Sequence, residues 1–305
     1  MDRRHFLSTA GTLVAAAAVP IRASTQKTTT PATSGGQTPG KARFRTGLVA
    51  YSYRTALQSK AMTYQDLIRI AVDTGTDGID MTVYWLPGTT DDVLLPLRRE
   101  AYRNRVEIYS IGTRVRLAQP TADLREKELV ELRKWVDVAQ KMGSTHVRVF
   151  GGTKPADATM DQAIGMAVET LKRGAEYAGS RGVILGVEDD GGITEFAKET
   201  IQIVTGADSP WAGMNLDIGN FRPPKVLEQV EMSIPYAVST HIKTEMAQDD
   251  GKTKVPYDWD AVFAMFARHG YRGYMGLEYE AADDPTTSVP KHLRRLKELA
   301  LKYSA

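Results

Sequence analysis

Side chains suited to holding a divalent cation stand at the ends of four successive apolar runs. The runs read Leu185-Gly186-Val187-Glu188-Asp189-Asp190, Asn215-Leu216-Asp217-Ile218-Gly219-Asn220, Ser239-Thr240-His241-Ile242-Lys243 and Gly276-Leu277-Glu278-Tyr279-Glu280. Side chains alternate along a strand, so Val187, Leu216, Ile242 and Leu277 must face away from the candidate ligands. Alternation alone leaves Glu188 and Asp190 equivalent, and likewise Glu278 and Glu280. Converging carboxylates repel one another and raise their own pKa values, and one divalent ion removes that conflict. The chain has no cysteine, so thiolate ligation and a cysteine nucleophile are excluded. An oxygen-rich set with one imidazole suits Mn²⁺, Mg²⁺, Co²⁺ or Fe²⁺, and Zn²⁺ is also compatible. Two positions before the candidates stand Gly186, Asn215, Ser239 and Gly276, all small or polar, which predicts room beneath an ion and its waters. Arg148 and Lys243 are candidates for holding substrate hydroxyls or an anionic group. Tyr51, Tyr84 and Trp85, near the ends of the first two runs, offer either an apolar platform for a substrate or simple packing.

These residues need a scaffold that brings four strand ends together. Eight apolar runs occur: 47–52, 78–83, 106–111, 146–150, 183–187, 213–218, 237–242 and 274–279. Between them lie segments with helical spacing, such as Tyr64-Leu67-Ile68-Ala71 behind a Thr63 cap, Leu124 to Met142 and Met160 to Ala178. Only 223–235 is weak as a helix. Strand alternating with helix implies parallel pairing through crossovers. Eight such units over residues 42–305 match an α/β fold of the (β/α)8 TIM-barrel type in a single domain, a fold of roughly 250 residues. The competing doubly wound sheet lacks support, because Tyr51-Ser52-Tyr53-Arg54 follows the first run where a dinucleotide site needs glycines. In a barrel the chemistry sits at the C-terminal strand ends, where the four candidate ligands lie.

The chain is 305 residues long, 42% hydrophobic and 25% charged, too apolar for disorder and large enough for a full barrel. Residues 1–23 carry Arg3-Arg4-His5-Phe6-Leu7 followed by a short apolar and small-residue stretch, resembling a twin-arginine export signal. That stretch is too short to span a membrane, for which roughly 20 apolar residues are needed. Residues 24–41 have the Ser/Thr/Pro/Gly-rich composition of a linker. The expectation is therefore an exported barrel, periplasmic or extracellular, without a stable membrane span after processing. The formal charge is +2, and loss of Arg3, Arg4 and Arg22 together with Asp2 leaves neutrality. Such a balance carries no footprint for nucleic acid. Assembly into a homo-oligomer is compatible with it.

The set Glu188, Asp217, His241 and Glu278 resembles the xylose isomerase-like TIM-barrel superfamily of sugar-phosphate isomerases and epimerases. Supporting stretches are Val49-Ala50-Tyr51-Ser52, Arg148-Val149-Phe150-Gly151-Gly152, Glu188-Asp189-Asp190-Gly191-Gly192 and His241-Ile242-Lys243. The resemblance implies one divalent metal held by these four residues, with Glu188 and Glu278 also the acid/base pair. It is the resemblance that selects Glu188 over Asp190 and Glu278 over Glu280. The expected activity is a metal-dependent sugar isomerase or epimerase transferring a proton α to a carbonyl through an enediolate. A lyase or dehydratase on a keto-sugar or 3-keto-glycoside is the alternative, and a non-catalytic sugar-binding barrel a third reading. An endonuclease of the same superfamily needs several imidazoles, and of five histidines only His241 is well placed. The chain departs from the family pattern at Asp189-Asp190, where Asn-His is common. It also departs at Thr244 and at Asn220, which replaces a frequent histidine and is a further candidate for substrate binding.

Overall fold

The computed structural model describes residues 41–304; the expected export signal, and the expected linker apart from Lys41, lie outside the described residues. Eight parallel strands close into a barrel: β1 (Arg43–Val49), β2 (Gly78–Thr82), β3 (Glu107–Ala118), β4 (His146–Gly152), β5 (Ile184–Glu188), β6 (Ala212–Asp217), β7 (Ala237–Ile242) and β10 (Arg272–Leu277), with β10 returning to β1. Between β7 and β10 a small antiparallel hairpin is inserted, β8 (Glu245–Ala247) with β9 (Lys254–Pro256). The helices around the barrel are α1 (Arg54–Gln58), α2 (Tyr64–Thr74), α3 (Asp91–Arg103), α4 (Ala122–Met142), α5 (Met160–Ser180), α6 (Ala197–Gly206), α7 (Val226–Ser233), α8 (Trp259–Arg268) and α9 (Pro285–Tyr303). Among the described residues no helix is long and apolar enough to cross a membrane.

Local chemistry sets the helix ends. Thr63 and Asp66 form a reciprocal capping box at α2, Thr159 and Gln162 do the same at α5, and Gly75 closes α2 in the left-handed conformation. The weakly patterned segment before β7 does fold, as the eight-residue α7. Val187, Leu216, Ile242 and Leu277 are fully buried in the layer between strands and helices, which turns their neighbours toward the barrel axis.

Two strand boundaries differ from the sequence pattern in ways that matter. β1 ends at Val49, and Ala50–Tyr53 form a 3-10 turn, so Tyr51 sits on a turn above the strand. β3 runs on from Ile111 to Ala118. Pairing with β2 reaches only Gly112, whereas pairing with β4 continues to Ala118 opposite Gly152. The upper part of β3 therefore stands above the rim.

Candidate metal centre and substrate cavity

Glu188 and Asp217 are the last residues of β5 and β6, His241 is the penultimate residue of β7, and Glu278 follows β10 directly. Register places Asp217 beside His241 and His241 beside Gly276. All four side chains are buried, and one ligand atom from each lies within 4.8 Å of the others. His241 Nδ1 is 2.6 Å from Glu188 Oε1, 3.5 Å from Glu278 Oε2 and 3.8 Å from Asp217 Oδ2.

The other face of His241 is fixed by a residue that the sequence pattern did not single out. Nε2 lies 3.2 Å from Oδ2 of Asp80, on β2. A carboxylate can only accept, so Nε2 carries the hydrogen and Nδ1 is left as the ligand atom. Despite the desolvation that opposes its charge, Asp80 is held below the usual carboxylate range by His241. An acidic residue midway along the apolar run Gly78-Ile79-Asp80-Met81 was the available signal, since buried carboxylates persist only when partnered.

His241 Nδ1 and Asp217 Oδ2 are both buried without a hydrogen-bond partner, and both face the same point. Nδ1 is close to Glu188 but off the line of a hydrogen bond. Two acceptors 2.6 Å apart repel unless a proton or a cation lies between them. By themselves the groups draw protons: burial pushes Asp217 up to about 8 against the pull of Lys243, and His241 rises well above its usual value because Glu278 and Glu188 outweigh its desolvation. Four ligand atoms converging from four strands, two of them without a hydrogen-bond partner, are what a divalent cation fits, and ligation would release those protons.

Each glutamate has its own cation. Arg148, on β4 and buried, places Nε 3.1 Å from Glu188 Oε2, and Asn215 donates to Glu188 Oε1 at 3.2 Å. Lys243 Nζ lies 2.6 Å from Glu278 Oε2 and 3.1 Å from Asp217 Oδ2, and also meets Glu280. Desolvation opposes ionisation of Glu278, yet Lys243 and then His241 hold it well below the usual range. Asp189 turns away from the cavity: its Oδ1 accepts from the backbone N–H of Asp217 at 2.8 Å, bracing the end of β6.

The space beneath the quartet is filled, contrary to the room that the small residues predict. The His146 ring occupies the place above Gly186, where a Cβ would come within 2.2 Å of Nε2. The Tyr109 hydroxyl lies against Gly276, 2.4 Å from where a Cβ would stand. Small residues on β5 and β10 thus admit large side chains from β3 and β4, and the site opens only upward.

Above the quartet is a cavity of about 280 Å³ lined by Tyr51, Tyr84, Arg114, Arg116, Arg148, Phe150, Glu188, Asp190, Asn220, Lys243, Glu278 and Glu280. Asp217 and His241 lie below its surface. Tyr51, Asn220, Arg148 and Lys243 all reach it, whereas Trp85 stands behind Tyr51, stacked at 6.0 Å, and faces a separate groove beside α2 and α3. Asp190 sits at the mouth, where partial desolvation and the Glu188 charge raise it to about 6. Arg114 and Arg116 escaped the sequence reading. Their signal was the period-two pattern Thr113-Arg114-Val115-Arg116-Leu117, which extends the third strand.

Residues 68–299 match the family described as xylose isomerase-like TIM barrel. No match was found among curated proteins. Among solved structures, 3-keto-D-glucoside 4-epimerase YcjR from E. coli superposes with a TM-score of 0.66 at 13% identity, covering 85% of this chain and 100% of the other. The probable 3-DHS dehydratase AsbF from Bacillus anthracis gives 0.64 at 15% identity, covering 84% and 98%. The IOLI protein with a bound zinc atom gives 0.68 at 15%, covering 86% and 99%. At such identities the likeness is one of fold.

Proposed function

Since the chain belongs to the xylose isomerase-like TIM barrel family, we propose that it is a divalent-metal-dependent sugar isomerase or epimerase moving a proton on the carbon next to a carbonyl. The observation that carries this is a pair of buried glutamates, Glu188 and Glu278, that open onto one cavity from strands separated by β6 and β7. Glu188, Asp217, His241 and Glu278 would hold the ion, with Asp217 and His241 acting as ligands alone because they do not reach the cavity. The ion, when bound, supplies a Lewis acid that polarises the substrate carbonyl.

Glu188 and Glu278 approach a bound sugar from two sides, so one takes the α-proton and the other returns a proton to the opposite face of the enediolate. Lys243 keeps Glu278 ionised, the state of the group that takes the proton, and Arg148 holds Glu188 in place. Asn220 offers an amide to a substrate hydroxyl, and Tyr51 an apolar edge to the ring. Support comes also from the epimerase among the structural relatives. Solvent deuterium should enter the carbon α to the carbonyl of keto-sugars in the presence of Mn²⁺ or Co²⁺, and Glu188→Gln or Glu278→Gln should abolish it. Exchange that survives in both variants would remove the acid/base assignment. Product of unchanged mass identifies isomerisation; loss of water or of an aglycone means that the same proton abstraction ends in elimination, the lyase alternative.

We further place the reaction outside the cytoplasm, on the strength of Arg3-Arg4 and the short apolar stretch behind them. Replacing both arginines by lysine should leave precursor in the cytoplasm; unimpeded export of that variant refutes the twin-arginine route.

A further inference from the structure

The cavity is lined by charges of both signs. Glu188 and Asp190 reach it from the end of β5 and Glu278 and Glu280 from the end of β10, while β4, beside β5, and β3, beside β4, supply Arg114, Arg116, Arg148 and Phe150. The two cations first expected to meet substrate, Arg148 and Lys243, are committed to Glu188 and to Asp217, Glu278 and Glu280. Arg114 and Arg116 are not. Among the described residues neither guanidinium has a carboxylate within ion-pair distance, although both line the cavity.

Their position is built into the strand. Between Gly112 and Arg116 the register slips, four residues of β3 spanning what two residues, Arg148 to Phe150, span on β4. Such a bulge re-aims side chains at a barrel rim. Thr113, Val115 and Leu117 are buried while Arg114 and Arg116 are exposed, so both arginines project on the cavity side. The Arg114 guanidinium lies over the Tyr84 ring, 4.0 Å from its centre, and the Tyr84 hydroxyl donates to the Thr113 carbonyl at 3.2 Å. The backbone N–H of Arg116 donates to Glu128 on α4 at 3.0 Å, which anchors the raised strand. The Arg114 guanidinium is thus positioned before any ligand arrives, the anchored strand carries Arg116 two residues further on, and both guanidinium groups have donors to spare.

We propose that Arg114 and Arg116 bind an anionic group on the substrate remote from its reacting carbonyl, so that the substrate class is a keto-sugar acid, with a carboxylate where a neutral sugar has a hydroxymethyl group. This rests on the proton-transfer reading of the same site for the word keto, but not for the carboxylate. A neutral sugar would leave two cations uncompensated at the mouth. A uronic acid carries its carboxylate on a ring carbon away from the reacting carbonyl, which matches a cavity whose two glutamates stand at the ends of β5 and β10 while the free arginines stand on the raised part of β3.

The test is a matched pair of probes, methyl 3-keto-glucoside and methyl 3-keto-glucuronide, against the Mn²⁺-loaded protein. Binding is read by titration calorimetry and solvent deuterium exchange by NMR. The uronide should bind about 10- to 100-fold tighter, as expected for one or two charge-assisted hydrogen bonds. In Arg114→Gln/Arg116→Gln that ratio should fall to near one, and Arg114→Lys should keep part of it, which a folding defect would not produce. Equal binding of the two probes, no binding of the uronide, or a preference that survives in the double variant overturns the carboxylate site. Preference without exchange of either probe leaves the carboxylate site standing and overturns the proton-transfer reading instead.

Discussion

At the N-terminal end of the barrel Tyr109 and Tyr274 stack 3.7 Å apart and nearly parallel, with Arg45 over Tyr274 and Glu107 accepting from its hydroxyl at 3.0 Å. At the C-terminal end three carboxylates and an imidazole converge with unpartnered acceptors facing one another. Both ends bury polar side chains. The lower end uses neutral rings and a paired charge to fill volume, so its atoms serve packing. The upper end holds like charges together, at a cost that only a cation offsets. One barrel therefore separates the residues that keep it folded from those proposed to carry its chemistry.

The sharpest way to break this contrast is Asp217→Asn. The change removes one candidate ligand oxygen at constant volume, so metal binding should be lost and proton exchange should fall by about 1,000-fold or more, while the melting temperature holds or rises. A variant that melts much earlier would place Asp217 among the structural groups. Conversely, Tyr109→Ala empties the lower plug and should cost about 3–5 kcal/mol in urea unfolding, with any activity of the folded fraction retained. Full stability of that variant would mean that the ring stack contributes nothing to the fold.

His146 lies between the two layers and gives the comparison a pH axis. Burial lowers its pKa from 6.5 to about 4. The folded state thus keeps it neutral, so this contribution is complete above pH 6.5 and is lost as pH falls toward 4, amounting to roughly 3 kcal/mol. Wild type should lose more stability between pH 7 and 4.5 than His146→Asn does, and parallel losses would remove His146 from the account. Asp80→Asn, which no longer demands the Nε2 hydrogen of His241, should weaken metal affinity by about 10- to 100-fold; unchanged affinity would show that the tautomer is fixed elsewhere. The smallest expected effect is that of Tyr109→Phe. The Tyr109 hydroxyl is buried without a partner, so its removal should change stability by no more than about 1 kcal/mol.

The strand ends carrying the candidate ligands were legible because a barrel strand alternates, while the choice of Glu188 over Asp190 and of Glu278 over Glu280 came from the family resemblance. Glu188, Asp217, His241 and Glu278 each stand next to a residue that packs in the core, and this is local information. Asp80 was not legible as a partner of His241, since 161 positions separate the two and only barrel closure makes them neighbours. The floor was misjudged for a similar reason. Gly186 and Gly276 look like empty space in sequence, yet space beside a glycine belongs to whichever strand can reach into it, here β4 and β3. Arg114 and Arg116 stayed hidden because two charges in an alternating stretch read equally well as a loop, until pairing with β4 shows that the strand continues.

By itself, then, the sequence determined the class of fold, the strand ends at which candidate ligands gather, and the exclusion of thiolate from that set, because periodicity and residue type act over a few positions. Only the tertiary structure decided which acceptors are left without partners, which cations are already paired, and which arginines remain free to meet a substrate. Those properties depend on distances across the barrel, which no local pattern encodes.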